Sequence, residues 1–327
     1  MRILVFRGGA LGDFLVTLPA LGLLRARWPK ARVAWVGNPA AAELGRLGGY
    51  LDAVYSQHEA RWSALFAGTP LPGDLASWLA EFDLVLNYWP DADGALARRF
   101  PVRAGQTYLS AAAQPHIAPA ARHYCEPLRA LGLATDGFHS RLDVARVVPE
   151  ARFASPQPSD GGQRLADKPP YPIAIHPGSG SPRKNWPVER WIDLIQRLTQ
   201  PILLVLGEAE QESLPTWRNL CAHSTNSGPR MYRGAGDQRP RIQLASSLPL
   251  PDLATTLSRC RLFLGHDSGV SHLAAAVGTP CLLLFGPTDP AMWAPPGEQV
   301  RVLRRGGSLE AITVDEVAAL TFLFCPG

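Results

Sequence analysis

Short apolar runs that stop at a glycine or a polar turn alternate along this chain with stretches of helical period. That alternation predicts an α/β fold with parallel sheets. Residues 2–6 form the first run and Arg7-Gly-Gly-Ala-Leu-Gly-Asp13 a glycine-rich loop. Phe14, Leu15, Leu18 and Leu21 then fall on one face of a helix. A second strand over 31–37 and a second helix over 39–47 complete a βαβ opening. Further strands are expected over 51–55 and 84–87, and a helix over 120–131. The pattern restarts with a strand over 171–175, a helix carrying Trp191, Leu194, Ile195 and Leu198, and a strand over 201–206. Ile242-Gln-Leu precedes a helix over 251–258, and a strand over 261–265 leads to a helix capped by Asp267 or Ser268. A strand over 281–285 and a terminal helix over 314–323 finish the chain.

Between these two series, Pro149, Pro156, Pro158, Gly161, Gly162, Pro169 and Pro170 interrupt both periods. That composition marks a linker. The expected organisation is an N-terminal domain over 1–150, a linker over 151–170 and a C-terminal domain over 171–327. The terminal helix is a candidate to pack back on the N-terminal domain. Both halves repeat strand, glycine-rich loop and helix, so two doubly wound domains facing across a cleft are expected.

Composition narrows the function classes. The 327 residues are 46% hydrophobic and 18% charged, enough to bury sizeable cores. A net charge of +4 suits an anionic substrate or an acidic membrane surface and is too weak to argue for nucleic acid. Cys125, Cys221, Cys260, Cys281 and Cys325 are scattered without CxxC spacing, as in a reducing cytosol, and neither they nor the histidines suggest a metal site. No apolar run approaches the roughly 18 residues of a membrane span. A soluble, cytoplasmic protein is expected, at most touching a membrane from outside.

The candidate chemistry lies where strands end. Gly8-Gly9-x-x-Gly12 lacks the spacing of a dinucleotide fingerprint, and Gly37-Asn38 stands where an acid would be required. Asp13 could take a proton from a hydroxyl or could simply cap its helix. Arg7 reads equally as an anion ligand or a solvated cation. In His176-Pro-Gly-Ser-Gly-Ser-Pro-Arg-Lys-Asn-Trp-Pro187, the Lys184 and Arg183 charges could neutralise a phosphate, or Lys184 could be a solvated loop lysine. Acids at Glu208, Glu210 and Glu212 compete for a ribose-binding role after the strand over 201–206. The turn Asp267-Ser268-Gly269 opens a helix whose N-terminus suits an anion.

These segments together resemble the family 9 glycosyltransferases, the bacterial ADP-heptose:lipopolysaccharide heptosyltransferases. The resemblance rests on Arg2-Ile-Leu-Val…Gly-Asp13…Leu18-Pro-Ala-Leu, on His176-Pro-Gly-Ser…Lys184-Asn-Trp-Pro and on Gly265-His-Asp-Ser-Gly-Val-Ser-His-Leu-Ala-Ala-Ala…Gly-Thr-Pro…Leu-Phe-Gly-Pro-Thr-Asp-Pro, in family order. It implies a GT-B fold and an inverting, metal-independent transfer without cofactor, from a nucleotide-sugar such as ADP-heptose to a lipopolysaccharide-core or other envelope glycan. Asp13 would be the base. Ser179, Lys184, Asp267, Ser268 and Gly269 would hold the diphosphate, with His272 in the signature as ligand or packed helix residue. Glu212, with Glu210 its competitor, would bind ribose, and Leu248 would lie near adenine. Arg7, Arg61 and Arg122 are candidate acceptor ligands. Other readings are a GT-B transferase using a different nucleotide-sugar or a non-lipid acceptor, and a non-catalytic nucleotide-sugar-binding protein. At Asp267 a carboxylate would repel a diphosphate, so a capping role or a sugar-hydroxyl contact is expected.

Overall fold

The computed structural model describes residues 1–136, 141–147, 173–225 and 242–324. The expected linker over 151–170 lies outside these residues. The chain divides into two compact units, Met1–Val147 and Val148–Gly327.

The first unit runs β1 (Arg2–Phe6), α1 (Leu11–Arg27), β2 (Arg32–Gly37), α2 (Pro39–Leu47), β3 (Ala53–Ser56), α3 (Gly73–Ala80), β4 (Leu84–Asn87), β5 (Thr107–Ser110), α4 (Ala120–Cys125) and α5 (Val144–Val147). Its sheet has the order β3-β2-β1-β4-β5, and every pairing is parallel. Ile3 to Phe6 and Leu84 to Asn87 are wholly buried, as expected of strands covered by helices on both faces. The strand order reverses between β1 and β4, which is where such sheets place their ligands. The expected helix over 120–131 is α-helical only to Cys125 and continues as a 3₁₀ helix from Glu126 to Leu131. Pro127 has no N–H to give to the carbonyl four residues back, so the α-helical ladder is interrupted there.

The second unit runs β6 (Ile173–Ile175), α6 (Val188–Arg197), β7 (Ile202–Leu206), α7 (Leu214–Thr225), β8 (Ile242–Ser246), α8 (Leu250–Ser258), β9 (Leu262–His266), α9 (Gly269–Ala276), β10 (Cys281–Phe285), α10 (Pro290–Trp293), β11 (Val300–Arg304) and α11 (Val314–Phe324). The order β11-β10-β9-β6-β7-β8 is again wholly parallel, and it reverses between β6 and β9. A core of Ile173, Ile175, Trp186, Trp191, Leu194 and the inner residues of β7 and β10 fills the space under α6. The terminal helix α11 packs on α6 of its own unit. Trp186 Nε1 donates to Ile312 O (3.0 Å) just before that helix.

Candidate functional site

In the N-terminal sheet, β1 delivers the chain to the switch point and Gly8 to Ala10 turn it into α1. Asp13 stands in the first turn of that helix, where a carboxylate is favoured by the exposed N–H groups. Its Oδ2 accepts from the Ala10 N–H (2.9 Å), so the cap it provides is real. Its Oδ1 accepts from Arg7 Nη2 (2.7 Å). The Asp13 side chain remains 38% exposed. Gly9 lies at φ +105°, and a Cβ there would fall 2.2 Å from Asp13 Oδ2. Only glycine lets the loop pass this close to the carboxylate. Gln57, just beyond β3, secures the same loop by accepting from the Gly9 N–H (3.1 Å).

Arg7 is 6% exposed, so it is not the solvated cation one reading of the sequence allowed. Its Nη2 also donates to the Tyr124 hydroxyl (2.9 Å) and its Nη1 to Ala113 O (3.3 Å), while the guanidinium lies 4.4 Å from the Tyr124 ring centroid. Burial raises the Tyr124 pKa and the Arg7 charge opposes that rise. Arg61 is elsewhere, pressed on the rings of Trp62, Trp78 and Tyr55 at 4.2, 4.9 and 5.0 Å and paired with Glu59. Arg122 sits on α4, exposed and paired with Asp136 (3.2 Å). Neither touches Asp13 in the hydrogen bonds and ion pairs of the described residues.

In the C-terminal sheet, the switch point brings together the loop after β6 and the turn after β9. Lys184 Nζ donates to Asp267 Oδ2 at 2.8 Å, with side-chain exposures of 32% and 9%. The helix cap is Ser268, whose hydroxyl accepts from the Ser271 N–H (3.3 Å). Asp267 therefore does not cap α9, as one expectation had it; its carboxylate goes to Lys184. Gly269 is the first residue of α9, and His272 is buried one turn along it. Ser179 is buried, and its hydroxyl lies 2.9 Å from Ser181 O and 2.7 Å from Asn185 Oδ1. It orders its own loop.

His266, which the residue pattern placed in the turn, is instead the last residue of β9 and is fully buried. Its Nε2 accepts from the Trp186 N–H (2.9 Å), and its Nδ1 faces Gly178 O (3.5 Å). One neutral imidazole thus holds both ends of the loop that carries Ser179 and Lys184. Burial, with His176 adding to it, pushes its pKa down to about 3. His176 at the end of β6 is likewise held neutral by burial and bonds Val205 O through Nδ1 (3.0 Å). Both histidines stand in the motifs that carry the family resemblance, but no local pattern shows that they are buried fastenings; each extends a buried apolar run by one residue.

The two candidate ribose acids separate clearly. Glu210 is buried, with Oε2 accepting from the Gly207 N–H (2.6 Å) and Oε1 without a hydrogen-bond partner. A Cβ at Gly178 would fall 1.5 Å from that Oε1, so the glycine makes room for it. Glu212 is exposed on the following turn. Leu248 is half-buried just after β8, next to Ser247 at φ +52°.

Two doubly wound parallel-sheet domains, each with polar side chains gathered at its switch point, place the chain in the class of two-domain α/β proteins. The family model for glycosyltransferase family 9 (heptosyltransferase) matches residues 95–318. The chain belongs to that family and is a glycosyltransferase. It is 24% identical to lipopolysaccharide heptosyltransferase 1 of Escherichia coli O18:K1:H7, over 97% of this chain and 96% of that one. It is 28% identical to lipopolysaccharide heptosyltransferase 1 of Pseudomonas aeruginosa, over 89% and 80%. Among solved structures, the family 9 glycosyltransferase of Veillonella parvula superposes with a TM-score of 0.70 at 20% identity, covering 99% and 96% of the two chains. E. coli heptosyltransferase WaaC with ADP superposes with 0.67 at 19%, covering 99% and 100%. The chain has the GT-B fold of these enzymes.

Proposed function

We propose that the protein transfers a heptose from ADP-heptose to a lipopolysaccharide-core acceptor, with inversion and without a metal ion. Relatives named as lipopolysaccharide heptosyltransferases align over nearly the whole chain. One solved neighbour holds ADP-2-deoxy-2-fluoro heptose. The observation that carries the reaction type is Asp13: a part-exposed carboxylate at the switch point, with each oxygen held by one donor and lone pairs left on both.

In this reading Asp13 takes the proton of the acceptor hydroxyl as its oxygen bonds to the anomeric carbon, while the bond from that carbon to the diphosphate breaks on the opposite face. A single displacement inverts the centre. The departing ADP carries growing negative charge. Lys184 and the N-terminal N–H groups of α9, from Gly269 onward, supply the compensation, which is why no metal is called for. Lys184 is pre-placed by Asp267, and the carboxylate screens part of its charge until a diphosphate arrives. Ser268 and Ser179 serve by holding the turn and the loop. Glu210, buried with an unpartnered Oε1, is proposed for the ribose contact in preference to the exposed Glu212, and Leu248 borders the base. Arg61 and Arg122 are proposed to face the acceptor. No helix among the described residues is long and apolar enough to cross a membrane. Action at the cytoplasmic face of the inner membrane is proposed, with peripheral contact.

A single-turnover assay with ADP-heptose and lipopolysaccharide-core acceptors tests this. Transfer should appear, survive EDTA and give a product of inverted anomeric configuration by NMR. Asp13→Ala should abolish it while leaving ADP affinity nearly intact. Transfer from a different nucleotide-sugar, or none from ADP-heptose, would sink the donor assignment.

A further inference from the structure

Arg7 was open between two roles on sequence alone, and the structure supports neither a solvated cation nor a free anion ligand. Its hydrogen bonds go to the Tyr124 hydroxyl and Ala113 O on one side and to Asp13 on the other. The Tyr124 hydroxyl in turn donates to Ala113 O (2.8 Å), and Tyr88 donates its hydroxyl to Tyr124 O (2.6 Å). The guanidinium is therefore fixed on one side by the ring of Tyr124 and on another by the backbone after β5. What it presents from that anchored position is one N–H, aimed at Asp13 Oδ1.

We infer that Arg7 is the positioning residue for Asp13, locking the plane of the carboxylate from one side while the Ala10 N–H locks it from the other. This rests on the reading of Asp13 as the base. A lone Asp in the first turn of a helix can rotate about both side-chain torsions. Two donors on different oxygens remove that freedom and leave a lone pair on each oxygen of a carboxylate that is 38% exposed. A general base acts only on a hydroxyl within hydrogen-bond reach, so orientation of this carboxylate sets the rate of the bond-forming step and not the affinity for either substrate. The planar fork matters as well as the charge: a lysine can meet Asp13 or Tyr124 but cannot span both with one rigid group.

The test is single-turnover and steady-state kinetics on Arg7→Gln, Arg7→Lys, Tyr124→Phe and Asp13→Asn. Arg7→Gln should lower kcat by about 10- to 100-fold, a part of the roughly 100- to 10,000-fold that a general base contributes as a whole. Acceptor KM and ADP affinity should stay within about threefold of wild type. Arg7→Lys should recover part of kcat, and Tyr124→Phe should lower kcat in the same direction but less. If Arg7→Gln raises acceptor KM and leaves kcat unchanged, Arg7 is an acceptor ligand and the inference is overturned. If Arg7→Gln fails to fold, Tyr124→Phe decides alone, and a wild-type kcat there also overturns it. Asp13→Asn keeps the two ideas apart. Full turnover in that variant removes the base itself, whereas an inactive Asp13→Asn beside an unimpaired Arg7→Gln removes only the positioning role.

Discussion

At the scale of single residues, each carboxylate at a switch point is held by a cation: Asp13 by Arg7 and Asp267 by Lys184. On pattern alone Asp13 stands between base and helix cap and Lys184 between phosphate ligand and solvated lysine, and it is the family resemblance that favours the functional reading of each. That Asp13 would be held by Arg7, six residues earlier, depends on a tyrosine 117 residues further on that anchors the arginine. No local pattern contains that information. Asp267 shows the same limit: its neighbour Ser268 won the cap, and the carboxylate found a lysine 83 residues away. Two outcomes follow at this scale. Lys184→Met should weaken ADP binding by about 10- to 100-fold, the worth of a charge-assisted hydrogen bond or two. It should also destabilise the fold by about 1–3 kcal/mol, because Asp267 at 9% exposure loses its cation. Calorimetric titration with ADP and urea unfolding measure the two effects separately, and unchanged affinity would remove Lys184 from the phosphate site. Gly9→Ala should cost both activity and stability, since the methyl must displace the capping carboxylate 2.2 Å away and φ +105° is strained for an L side chain. Parallel kcat and melting measurements check both.

At the scale of elements, buried strands with clean ends were readable: β1, β4 and β10 fall where the apolar runs place them, and the helix α2 falls where its pattern places it. β5, Thr107–Ser110, is half-exposed at one edge of its sheet, and β11, Val-Arg-Val-Leu-Arg, is an edge strand with arginines turned outward. Neither carries the apolar run that announces a buried strand; edge positions tolerate, and are protected by, charge. The loop from Gly178 to Trp186 is the element whose order matters most, and His266 is its fastening. The imidazole accepts from Trp186 N–H through Nε2, so protonation of that nitrogen would break the bond and place a charge in the core. The unfolded chain binds a proton at His266 below its ordinary pKa of 6.5, while the folded chain refuses it down to about 3. Stability contributed by the neutral ring is therefore fully present above about pH 6.5 and falls as the pH is lowered through that window. The slope approaches about 1.4 kcal/mol per pH unit for one such group. His176, also shifted downward by burial, adds in the same direction. Urea unfolding from pH 7.5 to 4.5 should show this loss, and His266→Gln should flatten part of it while starting from a lower stability at pH 7.5. An equal slope in both proteins would mean that His266 is not held neutral.

At the scale of the whole molecule, the repetition of strand, glycine loop and helix on both sides of a proline-rich stretch was enough to foresee two doubly wound units, because each βαβ step is a local pattern. The order of the strands was not foreseeable from those steps, yet it is the strand order that makes the sites. Reversal between β1 and β4 opens the edge where Asp13 stands, and reversal between β6 and β9 opens the edge where Lys184 meets Asp267. Each unit thus owns one half of the proposed chemistry, and the halves should be separable by ligand. ADP should stabilise the protein by about 2.7 kcal/mol at a hundred times its dissociation constant. That stabilisation should persist in Asp13→Ala, whose defect is confined to proton transfer. It should shrink at the same ADP concentration in Lys184→Met and in Glu210→Gln, where the unpartnered carboxylate oxygen proposed for ribose becomes an amide or is turned away. UDP and GDP, offering the same diphosphate and ribose with different bases, should stabilise less than ADP if the segment around Leu248 reads adenine. A thermal-shift matrix of three nucleotides against four proteins distinguishes these outcomes. Equal shifts with all three nucleotides would detach the donor assignment from adenine while leaving the diphosphate site standing. Loss of the ADP shift in Asp13→Ala would mean that the base also carries donor affinity, contrary to the separation of roles that the two switch points suggest.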